Sequence, residues 1–323
     1  MQNDSGYTQQ NRSTMKTVLF TTTMIAAMAC QAGAAEFVSE KTHEFSAGSV
    51  QKVVVSTGSG DINYEVWDQP RIEVKILQSV KAKSEEKAEA IFNNTEVDIE
   101  ESGGVLKVEV EHDSGGFWNS ILSASPDVVV TVTGPSDLDA VANTGSGDVN
   151  IRGMTGEFKL NTGSGEIYGF ELDGEIAAST GSGDVTLSGV RGTVSANTGS
   201  GDILVKNLEG ELKGGTGSGD ITASGDISLF KAGTGSGDVM VISAVALKDD
   251  CKVGTGSGDI SVTLAPGTSF YLEAETNSGS LDCEFELANL ETDEESLKGE
   301  ANGSGPKLTL GAGSGDIMVA KIQ

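Results

Sequence analysis

The chain has 323 residues, with 48 acidic against 21 basic side chains and a formal net charge of −27, enough length for one large or two modest domains. A field of that sign repels nucleic acid and anionic lipid, favours cations or cationic partners, and keeps a long β-protein from associating with itself. No apolar stretch is long enough for a membrane-spanning helix.

In chain order, the first element is a targeting segment. Met1 to Thr14 is polar and irregular. From Met15, a plausible true start, Lys16 leads into Val18-Leu19-Phe20 and Met24-Ile25-Ala26-Ala27-Met28-Ala29, and small residues follow at Ala32 to Ala35. A positive start, a short apolar core and an Ala-x-Ala end read as a secretory signal peptide over residues 1–35. A lipid-anchored Cys30 is the rival reading, but Ala27-Met28-Ala29 fits a bacterial lipoprotein site poorly. Without residues 1–35 the charge balance is 19 basic against 47 acidic, a net −28. Export places the protein in the periplasm or at the cell surface.

Residues 36–135 form a β-rich capping region. Val53-Val54-Val55, Ile72 to Ile76, Val105 to Val110 and Val128 to Val132 read as strands. Ser84 to Phe92 reads as one helix, ending near residue 94, with Ser84 as its cap. A repeat array needs an atypical end that blocks further stacking, and this segment could supply it.

Residues 136–323 carry the repeat. Thr-Gly-Ser-Gly, then an acid, then Ile or Val, starts at Thr57, Thr144, Thr162, Thr180, Thr198, Thr216, Thr234 and Thr255. A decayed copy starts at Thr276 and a last one at Ala312. The spacing is 18 residues at every step from Thr144 to Thr234, then 21 twice, then 36. Apolar residues fall five and seven positions after the Thr, as in Val149 and Ile151 or Val185 and Leu187, and again at fourteen and sixteen, as in Phe158 and Leu160. Such alternation marks strands with one buried face. Between them lies a second corner with paired glycines, Gly153 and Gly156 or Gly189 and Gly192. Glycine at both corners suits positive φ and tight bends.

Each unit is therefore strand, corner, strand, corner, and none can bury its apolar face alone. The implied fold is all-β: a single-stranded, right-handed parallel β-helix (β-solenoid) with 18-residue coils. Roughly nine coils at about 4.8 Å would make a rod of about 40 Å. Glu284 to Glu300, with seven acids against Lys298, reads as an acidic insertion loop.

Together these features resemble the bacterial "putative adhesin" domain, a domain-of-unknown-function family. The resemblance runs over about residues 45–320. It rests on the Thr57 to Asp61 opening, Trp67-Asp68-Gln69-Pro70 beside a strand, the 84–92 helix, the Val128 strand and the Gly-Asp-Ile/Val coils. Many members have Asn-Gly-Asp where this chain has Ser-Gly-Asp. The resemblance implies an exported or membrane-attached β-solenoid, and the family's name implies surface adhesion. It supplies no catalytic residues.

The acids of the repeat are the sharpest chemical candidates: Asp148, Glu166, Asp184, Asp202, Asp220, Asp238 and Asp259. Stacked at about 4.8 Å, neighbouring carboxylates repel by about 0.9 kcal/mol in bulk water. Solvation and hydrogen bonds from corner N–H groups would offset that. A row of calcium ions is the alternative, since calcium takes six to eight oxygens. Calcium-binding β-roll repeats, however, place the acid differently from this chain.

Gly215 to Gly219 is not a nucleotide loop, because it precedes a strand and a dinucleotide site needs a helix N-terminus. Acids about 5 Å apart match a retaining glycosidase, but a ladder distinguishes no pair. His43 and His112 lie outside the coils and read as isolated surface residues. Phe117-Trp118 reads as a lid over the solenoid end or as an exposed partner-binding tip. Cys251 and Cys283 both fall on inward positions and read as free, buried thiols. By chain order their coils are about one and a half steps apart, roughly 7 Å, at the limit for a bridge.

The function expected is that of a non-enzymatic, exported cell-envelope structural or interaction protein, presenting an acidic repetitive surface to an envelope partner or polysaccharide. A calcium-stabilised scaffold or sensor is the alternative, and a polysaccharide-acting β-helix enzyme the third reading. No organic cofactor is expected. Exposed terminal coils would also let copies stack end to end.

Overall fold

A computed structural model describes residues 21–27, 35–112 and 125–323. The described chain is nearly all β, with a single α-helix among the described residues. Most of the targeting segment, Cys30, and the Phe117-Trp118 pair lie outside the described residues.

The N-terminal elements are β1 (Thr21–Ala27), β2 (Ala35–Ser46), β3 (Lys52–Thr57), β4 (Asp61–Val66), β5 (Arg71–Ala82), α1 (Glu85–Asn93), β6 (Thr95–Ser102), β7 (Val105–His112) and β8 (Asp127–Gly134). The helix lies where the sequence places it and packs Ala88 and Phe92 onto Phe37, Val80 and Ala82. Ser84 precedes it in extended backbone, but its side chain makes no capping hydrogen bond.

The regular coils comprise β9 (Asp139–Thr144), β10 (Val149–Arg152), β11 (Thr155–Thr162), β12 (Ile167–Thr180), β13 (Val185–Thr198), β14 (Ile203–Thr216), β15 (Ile221–Ser236) and β16 (Val239–Ser243). Pairing is parallel and 18 residues out of phase: Ile167 lies beside Val185 and Val185 beside Ile203. The inward row Val149, Ile167, Val185, Ile203, Ile221 and Val239 is buried, as is the facing row Phe158, Ile176, Val194, Leu212 and Phe230. Burying each such side chain is worth about 1.5–3 kcal/mol, a gain that exists only because coils lie above and below.

The C-terminal elements are β17 (Cys251–Ser257), β18 (Ile260–Leu264), β19 (Phe270–Thr276), β20 (Leu281–Cys283), β21 (Leu287–Thr292), β22 (Ser296–Ala301), β23 (Lys307–Ser314) and β24 (Ile317–Lys321).

At both ends the stack departs from chain order. The Thr57 copy (β3, β4) lies between the 105–134 rung (β7, β8) and the Thr144 copy (β9, β10). The Ala312 copy (β23, β24) slots between the Thr255 copy (β17, β18) and the Thr276 copy (β19, β20). The 36-residue gap makes this possible, because the chain overshoots, turns back and fills the skipped rung. The acidic stretch 284–300 is therefore not a loop. Its strands β21 and β22 form an antiparallel hairpin laid against β19, and Lys298 bridges Glu273 at 3.2 Å and Glu275 at 2.9 Å. At the other end β5, β2 and β1 continue from β8 antiparallel, and β6 pairs antiparallel with β7. Antiparallel strands at both ends interrupt the parallel register that another coil would need.

Candidate functional site: the repeated corner

Each letter of Thr-Gly-Ser-Gly-Asp has a distinct place. The threonines from Thr144 to Thr276 are buried. The Thr162 hydroxyl donates to the Gly147 carbonyl of the preceding rung at 2.8 Å and accepts the Gly165 N–H of its own corner at 3.0 Å. Thr180, Thr198 and Thr216 repeat both contacts. One hydroxyl thus staples a coil to its neighbour and closes its own turn. Thr276 donates to Gly315 at 3.0 Å, as the out-of-order stacking requires.

The two glycines are needed for space. A Cβ at Gly163 would lie 2.4 Å from the Gly145 carbonyl oxygen, and one at Gly165 only 1.9 Å from that of Gly147. Neither is among the positive-φ glycines, which corrects for the middle coils the expectation that both corners use glycine for its left-handed backbone, whereas the equivalent Gly258, Gly279 and Gly315 of the last copies have φ 145–155°. That expectation holds at the second corner, where Gly153 has φ 72° and Gly189 φ 69°. The equivalent Glu171 and Asn207 adopt φ 56° and 52°, a conformation that costs a side-chain-bearing residue about 1 kcal/mol.

The acid is a backbone cap that reaches across coils. Asp148 Oδ1 accepts the Glu166 N–H at 2.8 Å. Asp184 accepts from Asp202, Asp202 from Asp220, Asp220 from Asp238 and Asp238 from Asp259, each at 2.8–2.9 Å. Asp61, Asp259 and Asp316 extend the chain of caps to both ends. Glu166, one methylene longer, engages the Tyr168 hydroxyl instead. At Asp316 the Ser280 backbone N–H and hydroxyl hold the carboxyl below the usual carboxylate range. Among the described residues no group of three or more His, Cys, Asp or Glu is placed to hold a metal ion.

The serine is the remaining letter. Ser146, Ser164, Ser182, Ser200 and Ser218 are all exposed and, with the acids, form the outward rows of this edge. The sequence singled out the acids because of their charge. It offered no comparable signal for the serines, since a small polar residue in a Gly-rich turn is commonplace.

The other candidates stand apart from this edge. His43 is buried on β2, not on the surface, and burial, followed by Lys41, lowers its pKa below 6.5. Trp67 closes a turn, its indole N–H donating to the Arg71 carbonyl at 2.8 Å with the Arg71 guanidinium 4.7 Å from its ring centroid. Cys251 is buried and its thiol pKa is pushed up to about 11, chiefly by burial. Cys283 is half-buried, not buried as expected, because β20 pairs on one side only among the described residues. The thiols are free, and the interposed Ala312 copy separates their rungs.

No curated protein matches the chain. Solved structures with similar chains include a "putative lipid binding protein" from Parabacteroides distasonis, 16% identical, covering 88% of this chain and 97% of its own, with a TM-score of 0.49. A "putative adhesin" from Bacteroides fragilis is 12% identical over 88% of this chain and 97% of its own, with a TM-score of 0.37. A "putative cell adhesion protein" from Clostridium sporogenes is 12% identical over 88% and 99%, with a TM-score of 0.23. None of these likenesses bears on what this chain binds. Residues 66–320 match the Toastrack DUF4097 family. The chain belongs to that family.

Proposed function

We propose that the protein is a non-enzymatic, exported cell-envelope component, a rigid acidic rod that offers a repetitive edge to an envelope partner or polysaccharide. Residues 1–35 serve as the leader, 36–135 as the cap and 136–323 as the rod. The observation that supports this reading is the corner itself. Thr, both glycines and one oxygen of each Asp are engaged in holding coils together. What faces outward is a row of serine hydroxyls and a row of carboxylates at strand spacing, a surface suited to a partner that is itself repetitive.

Fractionation of the tagged protein, with glycan-array binding of the exported form, tests the reading. It expects the protein in the periplasm or at the surface, with binding weakened at high salt. Retention in the cytoplasm contradicts it. Phe117 and Trp118 remain proposed partner contacts. Trp118→Ala should lower binding at an unchanged melting temperature if they are, and lower the melting temperature if they form a lid.

A second reading is a calcium-stabilised scaffold. Its support is that Asp148, Asp184, Asp202, Asp220, Asp238 and Asp259 are without ion-pair partners among the described residues. Melting in millimolar calcium and in chelator separates the two readings, and coincident midpoints eliminate the second.

A further inference from the structure

A sheet edge with bare N–H and C=O groups is a template for another strand, and folded proteins guard such edges with charge, shortness or a bulge. Among the described strands, leaving β1 aside, β6, β20 and β21 each have a partner on one side only. All three are guarded. β6 carries Glu96, Asp98, Glu100 and Glu101 without a base. β20 is 3 residues long. β21 has a register shift between Ala288 and Glu291, with Asn289 at φ 54°.

β2 differs from all of them. It pairs with β5 along its full 12 residues, without a register shift and without proline. Among the described residues its other side is covered only by β1, which lies antiparallel along Glu36 to Thr42. Residues 21–27, which form β1, include part of the apolar core of the proposed leader. Cleavage after that core would therefore bare the longest edge among the described strands, one without a bulge and with charges of mixed sign.

The charge there also differs from the rest of the chain. β2 and β5 together carry four acids (Glu36, Glu40, Glu44, Glu73) and four bases (Lys41, Arg71, Lys75, Lys81) within a chain of net charge −27. Glu44 pairs with Arg71, and Glu40 with Lys75 at 3.0 Å. Two copies could approach through this face without the repulsion that opposes every acidic face.

We propose that removal of the leader bares β2, and that the mature protein dimerises by antiparallel pairing of β2 with β2 of a second copy. The seat already accepts an antiparallel strand. A twofold axis through such a pair makes the contact isologous, so both edges are satisfied at once and no further copy can add there. In the precursor, β1 occupies the edge and blocks pairing. The proposal rests on the leader reading above.

The test combines intact mass with sedimentation of the exported protein at up to about 100 µM, a range in which mass action favours even a weak dimer. The expected result is a chain lacking residues 21–27 that sediments as a dimer, while the uncleaved precursor is monomeric. Successive residues of an antiparallel strand direct their N–H groups to opposite sides, so Glu40→Pro and Lys41→Pro act differently. The proline whose N–H faced β5 lowers the melting temperature. The other leaves it unchanged and weakens the dimer by about tenfold or more, having removed edge donors.

A cleaved chain that stays monomeric overturns the proposal and leaves the leader reading standing. A chain that retains residues 21–27 overturns both. Dimers that survive both proline substitutions place the contact elsewhere and also overturn it.

Discussion

The middle coils and the two ends are built from the same motif but obey different constraints. From Thr144 to Thr234 every corner has a neighbour above and below, and the Thr, the glycines and each Asp are engaged with it while the serine faces outward. A Cβ at Gly181 or Gly199 would meet the carbonyl of the preceding rung at 2.3–2.4 Å. At Gly58, in the copy next to the capping rung, a Cβ meets nothing within 4 Å among the described residues. At the last rung the same position is Asn277, and the copy inserted beneath it begins with Ala312 in place of Thr. Glycine is thus needed where a neighbouring coil presses on its Cβ position, whereas the Ala312 copy has lost the Thr although coils flank it on both sides. At the glycines the repeat reports local crowding.

Perturbations in the middle should break this regularity most. Thr198→Val leaves the Gly201 N–H and the Gly183 carbonyl without the hydroxyl that joins them. A loss of about 1–3 kcal/mol in equilibrium unfolding is expected, the usual cost of stranding buried polar groups. The same change at Thr57, which is less buried and among the described residues accepts only the Gly60 N–H at 3.1 Å, should cost less.

Removal of an acid has a smaller effect with a diagnostic pattern. Asp202→Ala deprives the Asp220 N–H of its acceptor and should cost about 1 kcal/mol, as loss of a typical hydrogen bond does. Asp202→Asn keeps an acceptor and removes one charge from the ladder, so its stability should match the parent or exceed it. If Asn is as damaging as Ala, the carboxylate's charge matters for a reason other than capping.

Glu171→Gly sharpens the comparison between the two corners. It relieves a left-handed backbone at φ 56° and gives up only an exposed contact with Arg152 at 3.5 Å. A gain of about 0.5 kcal/mol is expected, the left-handed strain being partly offset by the extra freedom of glycine in the unfolded chain.

At the N-terminal end, His43 gives a pH-dependent effect. Its folded pKa lies below 6.5, so the folded chain binds fewer protons than the unfolded one between those values. Its contribution to stability is complete above pH 6.5 and falls as pH drops toward the folded value. Melting of the parent should therefore decline more steeply than that of His43→Gln between about pH 7 and pH 5. Equal slopes would remove His43 from the account.

Much of the fold was legible because the same environment recurs. The inward Val, Ile and Leu, the 18-residue phase and the parallel pairing all follow from one pattern repeated many times. The chain reversal at the C-terminal end was hidden because the 36-residue gap has several solutions. Strand content alone does not reveal that Ala312 returns beneath Thr276. The chemistry of the corner was legible only in part. Charge drew attention to the acids, whereas the cross-coil contact of Asp148 with the Glu166 N–H depends on stacking that a linear sequence does not display. His43 was misplaced because β2 lies outside the repeat, and its alternation includes charged residues that mask the buried face.

The motif's glycines answer to the neighbouring coil. Gly233 and Gly235 flank Thr234 in a single corner, and neither has positive φ. A Cβ at Gly233 meets an atom only at 3.6 Å, whereas one at Gly235 would lie 2.4 Å from the Gly217 carbonyl oxygen. Equilibrium unfolding of Gly233→Ala and Gly235→Ala tests the claim most directly. The first should be neutral or stabilising by up to about 1 kcal/mol, and the second should lose about 3 kcal/mol or more from overpacking against backbone that cannot yield. Equal losses at the two positions would contradict it.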